Sequence, residues 1–154
     1  MNLEFSLLES EPLILEVIDS GGEFRLFPKG TSMLPLLRQG IDSVVLVKAD
    51  KELDVGDVPL YKRANGQYVL HRIVKKEKDG TYVLCGDNQT ALERGISSKQ
   101  FIAVISAIYR KDKRVNTNAF SYRLYSFFWR SFLVRKLYFE ARRAISVLRK
   151  RKNK

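Results

Sequence analysis

The sequence predicts a mainly-β body, an antiparallel sheet that curls on itself or closes part-way into a barrel. Two observations carry that prediction. Short runs rich in Val, Ile, Leu, Tyr and Phe recur through residues 23–109, with turn signals between them at close spacing. Asn65-Gly66 and Asp79-Gly80 are hairpin signals, because both dipeptides accept the tight turns that match strand twist. A short helix is expected ahead of this body and a basic amphipathic helix behind it.

Each element can be justified in chain order. In residues 3–19, Leu7, Leu8, Leu15 and Ile18 can share one helical face, Pro12 is expected to break the helix or start a second turn, and Ser20-Gly21-Gly22 ends it. Residues 23–27 (EFRLF) alternate as a short strand that leads into the bend 29–42, KGTSMLPLLRQGID. Gly30 permits backbone geometry that a side chain forbids, and Pro35 stops a regular element from running through. Residues 43–48 form a β-branched strand, 51–57 are polar with a Gly-Asp turn, and 59–62 resume extended structure. The return strand is 68–74 (YVLHRIV), followed after the second hairpin by a strand at 81–84. Residues 86–89 open a polar loop to Gly95, and 101–109 (FIAVISAIY) form the last strand. The charged stretch 110–118 (RKDKRVNTN) lacks apolar periodicity and reads as a linker. The expected organisation is a body at 1–109 with its core at 23–109, a linker at 110–118 and a helical tail at 119–154.

Composition narrows the function classes. Hydrophobic residues make up 45% of the 154, enough for a sizeable core. Cys85 is the single cysteine, so no internal disulfide can form, and one Cys with one His does not make a zinc site. No run of 18 uncharged apolar residues exists, and the acidic N-terminus is wrong for a secretory signal peptide. Residues 109–154 hold 15 of the 28 Lys and Arg but 2 of the 17 Asp and Glu, so the tail carries all of the net charge of +11.

A few residues can carry chemistry. Ser32 sits on the bend beside Gly30 and Thr31, where a nucleophile is both exposed and rigid, although Gly-Thr-Ser is also an ordinary turn. His71, the only histidine, lies inside an apolar strand; it is either a core residue or the neutral-pH base that a serine nucleophile needs. Lysine is the alternative base, but no lysine lies inside an apolar strand. Asp87 after Gly86 can bond its own backbone or orient the imidazole, and Glu93 is a second carboxylate for that role.

GTSM-L-P-LLRQGID, then GDV, VLHRIV and CGDNQTALERG, in this order and spacing over about residues 25–108, resemble the signature of type I signal peptidases. The likeness is to their Ser–His branch, found in archaea, the endoplasmic reticulum and some Gram-positive bacteria, because His71 stands where most bacterial members have lysine. The resemblance implies Ser32 as nucleophile and His71 as the base that later protonates the leaving amine. It implies Asp87 or Glu93 as the completing carboxylate, Asp87 first. The oxyanion hole would include the Ser32 backbone N–H, with Thr31 the candidate for a hydroxyl lost at Gly30. Met33 and Pro35 would shape the bend and substrate groove. The substrate would be an extended peptide or precursor protein with small residues at the cleavage site, and no metal or cofactor is called for. Two alternatives stand beside signal- or leader-peptide cleavage: a protease dedicated to one leader, and an inactive peptidase-like binding module tethered by its tail.

Family members typically anchor through a transmembrane helix, and here the basic tail is expected to take that place. One face carries Leu137, Ala141, Ala144, Ile145 and Leu148. Phe127, Phe128, Trp129 and Phe132 would enter a membrane interface, with Arg135, Arg142 and Arg143 at anionic headgroups. A tail packed on the body, or one bound to nucleic acid, are the competing readings. The expected location is peripheral on a membrane without spanning it, on a side the sequence does not fix, and otherwise cytoplasmic.

Overall fold

The computed structural model describes residues 7–152, leaving aside the side chains of residues 7–10, 147 and 150–152. It is an antiparallel β structure, not closed into a barrel, with a helix before it and two helices after it. Helix α1 (Leu7–Asp19) runs through Pro12 without a break and seats Ile14 and Ile18, each 1% exposed, on the sheet. Leu15, expected on the buried face, points outward; the i, i+4 pair that faces the sheet is one residue earlier.

A six-stranded sheet follows the order β1 (Phe24–Leu26), β2 (Asp42–Val47), β8 (Phe101–Arg110), β3 (Pro59–Lys62), β4 (Tyr68–Leu70), with β9 (Lys113–Asn116) also pairing β8. A second sheet of three strands is β5 (Arg72–Lys76), β6 (Tyr82–Cys85), β7 (Glu93–Ile96). Strand β8 is long enough to serve β2, β3 and β9 because the register slips at Val45/Leu46 and again at Leu60/Tyr61. Such slips bend a strand and raise its twist, which gives the sheet its curl. Between the sheet and α1 lies a core of Val44, Leu46, Leu60, Ala103, Ile105 and their neighbours; a second cluster around Tyr61, Ile73, Tyr82 and Leu84 fills the smaller sheet.

Three expectations change. The run 68–74 is two strands belonging to different sheets, and His71 is the residue at which the chain crosses between them. The polar loop to Gly95 contains β7, whose backbone pairs with β6 while Arg94 and Gly95 stay exposed, so no apolar alternation marks it. The linker at 110–118 is largely the β8–β9 hairpin, turned at Lys111, the one non-glycine residue with positive φ (57°) among those described. An edge strand needs only backbone bonds on one side, so its charged side chains hide it from a hydropathy reading. The tail is correspondingly two helices, α2 (Phe120–Trp129) and α3 (Phe132–Lys152), broken at Arg130 and Ser131.

Candidate active site

Ser32 follows β1 on a bend held by Leu34 N–H donating to the Thr31 carbonyl and Leu37 N–H to the Met33 carbonyl. Gly30 takes φ 90°, a conformation costly for any residue with a Cβ, and its N–H donates to Gln39 Oε1 at 2.8 Å. The bend lines a cavity of about 380 Å3 whose lining includes Leu26, Thr31, Ser32, Tyr68, His71 and Gln89. Met33 also lines it while lying 5% exposed in the main core. Pro35, expected to shape the groove, does not line it, since the turn presents Met33 and Leu37 at its two ends and not its middle.

The strand crossing buries His71 to 2% exposure. Its Nδ1 lies 3.0 Å from Glu93 Oε1, and the Tyr61 hydroxyl is 3.3 Å from the same nitrogen. A carboxylate can only accept there, so the neutral ring carries its proton on Nδ1 and leaves Nε2 as the open base. Burial pushes the imidazole pKa down, and the nearby Glu93 charge raises it without cancelling that effect. His71 is therefore neutral at pH 7, the form a general base requires. Burial works to raise the Glu93 carboxyl, but bonds from Arg63 and Tyr61 and the proximity of His71 hold it below the ordinary carboxylate range. Arg63 Nε donates to Glu93 Oε2 at 2.9 Å, and its Nη2 pairs with the other oxygen.

Gly86 keeps the two sides together. A Cβ there would lie 2.7 Å from the Ser32 carbonyl oxygen, 2.9 Å from Gln89 Oε1 and 3.1 Å from His71 Nε2. Asn88 ties the same loop to the bend, its N–H donating to the Ser32 carbonyl at 2.7 Å and its Nδ2 to the Thr31 carbonyl at 3.0 Å. No hydrogen bond joins the Ser32 hydroxyl to His71 among the described residues, and the Ser32 N–H is likewise without a bond there. Catalytic contacts of this kind are commonly long before substrate binds.

Asp87, the first choice for the completing carboxylate, has other partners. Arg72 grips it with two bonds, Nε to Oδ1 at 2.8 Å and Nη2 to Oδ2 at 2.7 Å, both residues being fully buried. The Tyr125 hydroxyl donates to the same carboxylate at 2.9 Å. With its oxygens engaged there, the carboxylate bonded to the imidazole is Glu93. Arg72 Nη1 continues to the Gly56 carbonyl at 2.8 Å and Ser126 Oγ at 2.9 Å, linking the body to α2. Cys85 is no rival nucleophile: burial pushes its thiol pKa up, and its Sγ faces the Gln89 and Ala91 carbonyls.

The tail residues divide. Trp129 Nε1 donates to the Asp87 carbonyl at 2.9 Å, Arg135 is 1% exposed against the Gly86 and Gln89 carbonyls at 3.4 Å, and Arg142 reaches Asn88 Oδ1 at 3.2 Å. These three, expected at a membrane, hold the loop that carries Gly86; Phe128, Phe132 and Arg143 are exposed. Sequence reading missed Tyr61 on β3 and Arg63 at the start of the turn after it, both of which meet Glu93. It also missed Gly86 and Gln89, for which only the GDNQ motif gave a signal. No group of His, Cys, Asp and Glu among the described residues is arranged to hold a metal ion. No helix among them is long and apolar enough to cross a membrane. Compared with family models, with curated proteins and with solved structures, the chain matches none.

Proposed function

We propose that this protein is a serine endopeptidase of signal-peptidase type, cutting a leader or signal peptide from a precursor through Ser32 and His71. One observation carries the reading. A buried, neutral histidine with a carboxylate on Nδ1 shares a cavity with a serine whose own N–H is unbonded, and both residues lie close against Gly86. Ser32 Oγ attacks the scissile carbonyl while its proton passes to His71 Nε2; Glu93 steadies the imidazolium. The proton then goes to the departing amine as the C–N bond breaks, leaving an acyl ester on Ser32. Water, deprotonated by the same nitrogen, attacks the ester; the acyl C–O bond to Ser32 breaks, the proton returns from His71 to Ser32 Oγ, and the acid leaves. The Ser32 N–H is a donor for the oxyanion, and Thr31 is the neighbouring hydroxyl.

An extended peptide suits the cavity. Strands β1 and β4 are the two ends of the five-strand path through the larger sheet, and both contribute lining residues, Leu26 from one and Tyr68 to Leu70 from the other. Open edges of this kind add a peptide strand by backbone bonding. The tail would keep the enzyme in peripheral contact with a membrane. The decisive experiment is fluorophosphonate labelling read by intact mass. A single adduct on wild type, absent from Ser32→Ala and His71→Ala, is expected. No adduct with or without lipid, and no cleavage of precursor peptides with small residues at the cut site, would leave an inactive peptidase-like binding module.

A further inference from the structure

We infer that the outward face of α2 and α3 docks on an anionic lipid bilayer, and that Trp129, Arg135 and Arg142, expected at the membrane from sequence, take no part in it. The inference rests on the peripheral-membrane part of the reading above and is independent of the peptidase part.

Helix α2 has two uncharged faces. Tyr122, Tyr125, Ser126 and Trp129 turn to the body, while Phe120, Leu124, Phe127 and Phe128, spaced i, i+4, i+7, i+8, are 45–80% exposed. Helix α3 repeats the pattern. Arg135 and Arg142 face the loop at Gly86–Asn88, while Leu133, Leu137 and Leu148 stand 57–64% exposed, with Ala141 and Ala144 on the same side. Among the described residues, nine of the fourteen exposed large hydrophobic side chains lie on these two helices. Apolar side chains gathered this way mark an interaction surface, whereas those scattered over the body need no explanation.

Charge selects the occupant. Residues 120–152 contain ten Lys and Arg and one acidic residue, Glu140. A second copy would set this positive surface against its own like. A nucleic acid would meet the charges but leave the Phe and Leu stripe in water. A bilayer with anionic headgroups answers both, taking the apolar stripe into the interface and Lys136 and Arg143 at the phosphates beside it.

The test is co-sedimentation of the full chain with vesicles of phosphatidylcholine alone, and with about one third phosphatidylglycerol added, at low and high salt. Binding at least about tenfold tighter to the anionic vesicles, weakened by salt, is expected. Leu133→Gln with Leu137→Gln should reduce it about tenfold or more while circular dichroism and unfolding temperature stay unchanged, since both side chains are exposed. Lys136→Glu with Arg143→Glu should weaken binding to the anionic vesicles alone. Wild-type binding that both paired variants retain would show a membrane protein docked by another face, and the inference falls alone. Absence of wild-type binding to either vesicle would remove the membrane reading as well. Loss of a dimer in the leucine variant, by light scattering, without loss of lipid binding would assign the face to self-association. Binding to duplex DNA in place of vesicles would overturn the inference too.

Discussion

Replacing Glu93 with Gln tests the carboxylate–imidazole link most directly. The amide keeps the size of the side chain but deletes the charge 3.0 Å from His71 Nδ1. Two unit charges about 4 Å apart attract by about 4 kcal/mol at the effective dielectric of about 20 suited to a partly buried pair. Glu93 is 24% exposed and already shared with Arg63, so solvent and that second cation remove about half of this. The ~2 kcal/mol left is support that the imidazolium loses as Ser32 attacks, a fall of about 30-fold in rate. The amide can also donate to Nδ1 and move the ring proton to Nε2, which deepens the loss. Because the Glu93 charge raises the His71 pKa against burial, the acid limb of the pH–rate profile should move to lower pH in the variant. The assay is the second-order rate of fluorophosphonate labelling as a function of pH. A folded variant that labels within about threefold of wild type, or whose acid limb moves upward, would refute the role given to Glu93.

Gly86→Ala should cost about 1–3 kcal/mol in thermal unfolding and cut labelling sharply, because the new methyl meets the Ser32 carbonyl and His71 Nε2; wild-type labelling would show that the loop gives way freely. Arg72→Met alone should destabilise by about 3–5 kcal/mol by leaving Asp87 buried without its partner, and adding Asp87→Leu should restore part of it; an additive second loss in denaturant titration would contradict the pairing. The lowered His71 pKa means that the unfolded chain binds the proton first, so this contribution to stability is present above about pH 6.5 and is lost as pH falls toward the folded pKa; His71→Gln should flatten that part of the profile, and an unchanged slope would count against the burial argument. Ending the chain after Asn118 should destabilise it by more than about 3 kcal/mol, because Arg72 and Asp87 lose Ser126, Tyr125 and Trp129; ending it after Ile145 should leave the unfolding temperature near wild type, and equal effects of the two truncations would argue against the docked tail.

Local chemistry explains which parts of the fold were legible. The hairpin at Asn65-Gly66 forms where expected, with Gly66 at φ 84° and Arg63 N–H closing onto the Gln67 carbonyl, because the turn is fixed by residues inside it. Strand β2 was equally plain, since Val44 to Val47 form an unbroken apolar, mostly β-branched run. β7 and β9 escaped because what defines them is backbone pairing to β6 and β8, and pairing leaves no trace in side-chain polarity. The break at His71 escaped for a related reason. An apolar run looks the same whether its residues serve one sheet or two, and only the pairing of Leu70 with Leu60, and of Arg72 with Cys85, separates them.

The site shows the same division between local and distant causes. Ser32 and His71 were legible from residue type and motif, and so was the pair of candidate carboxylates, but the choice between these turned on partners far away in sequence. Asp87 is engaged by Arg72 from β5 and Tyr125 from α2; Glu93 comes to the imidazole because β7 pairs with β6 and because Arg63, at the start of the β3–β4 turn, donates to it. The tail misled for a converse reason. Its aromatic residues and arginines looked like a single membrane-facing set, yet residues three or four apart share a helix face while those two apart face opposite ways. Tyr125 and Trp129 therefore belong to the body, and Phe127 and Phe128, between them in sequence, to the outside. A helix with one apolar face must choose between packing on the protein and meeting a membrane. α2 has two such faces, so the bonds that hold the Gly86 loop in place leave its outer face free to meet a bilayer.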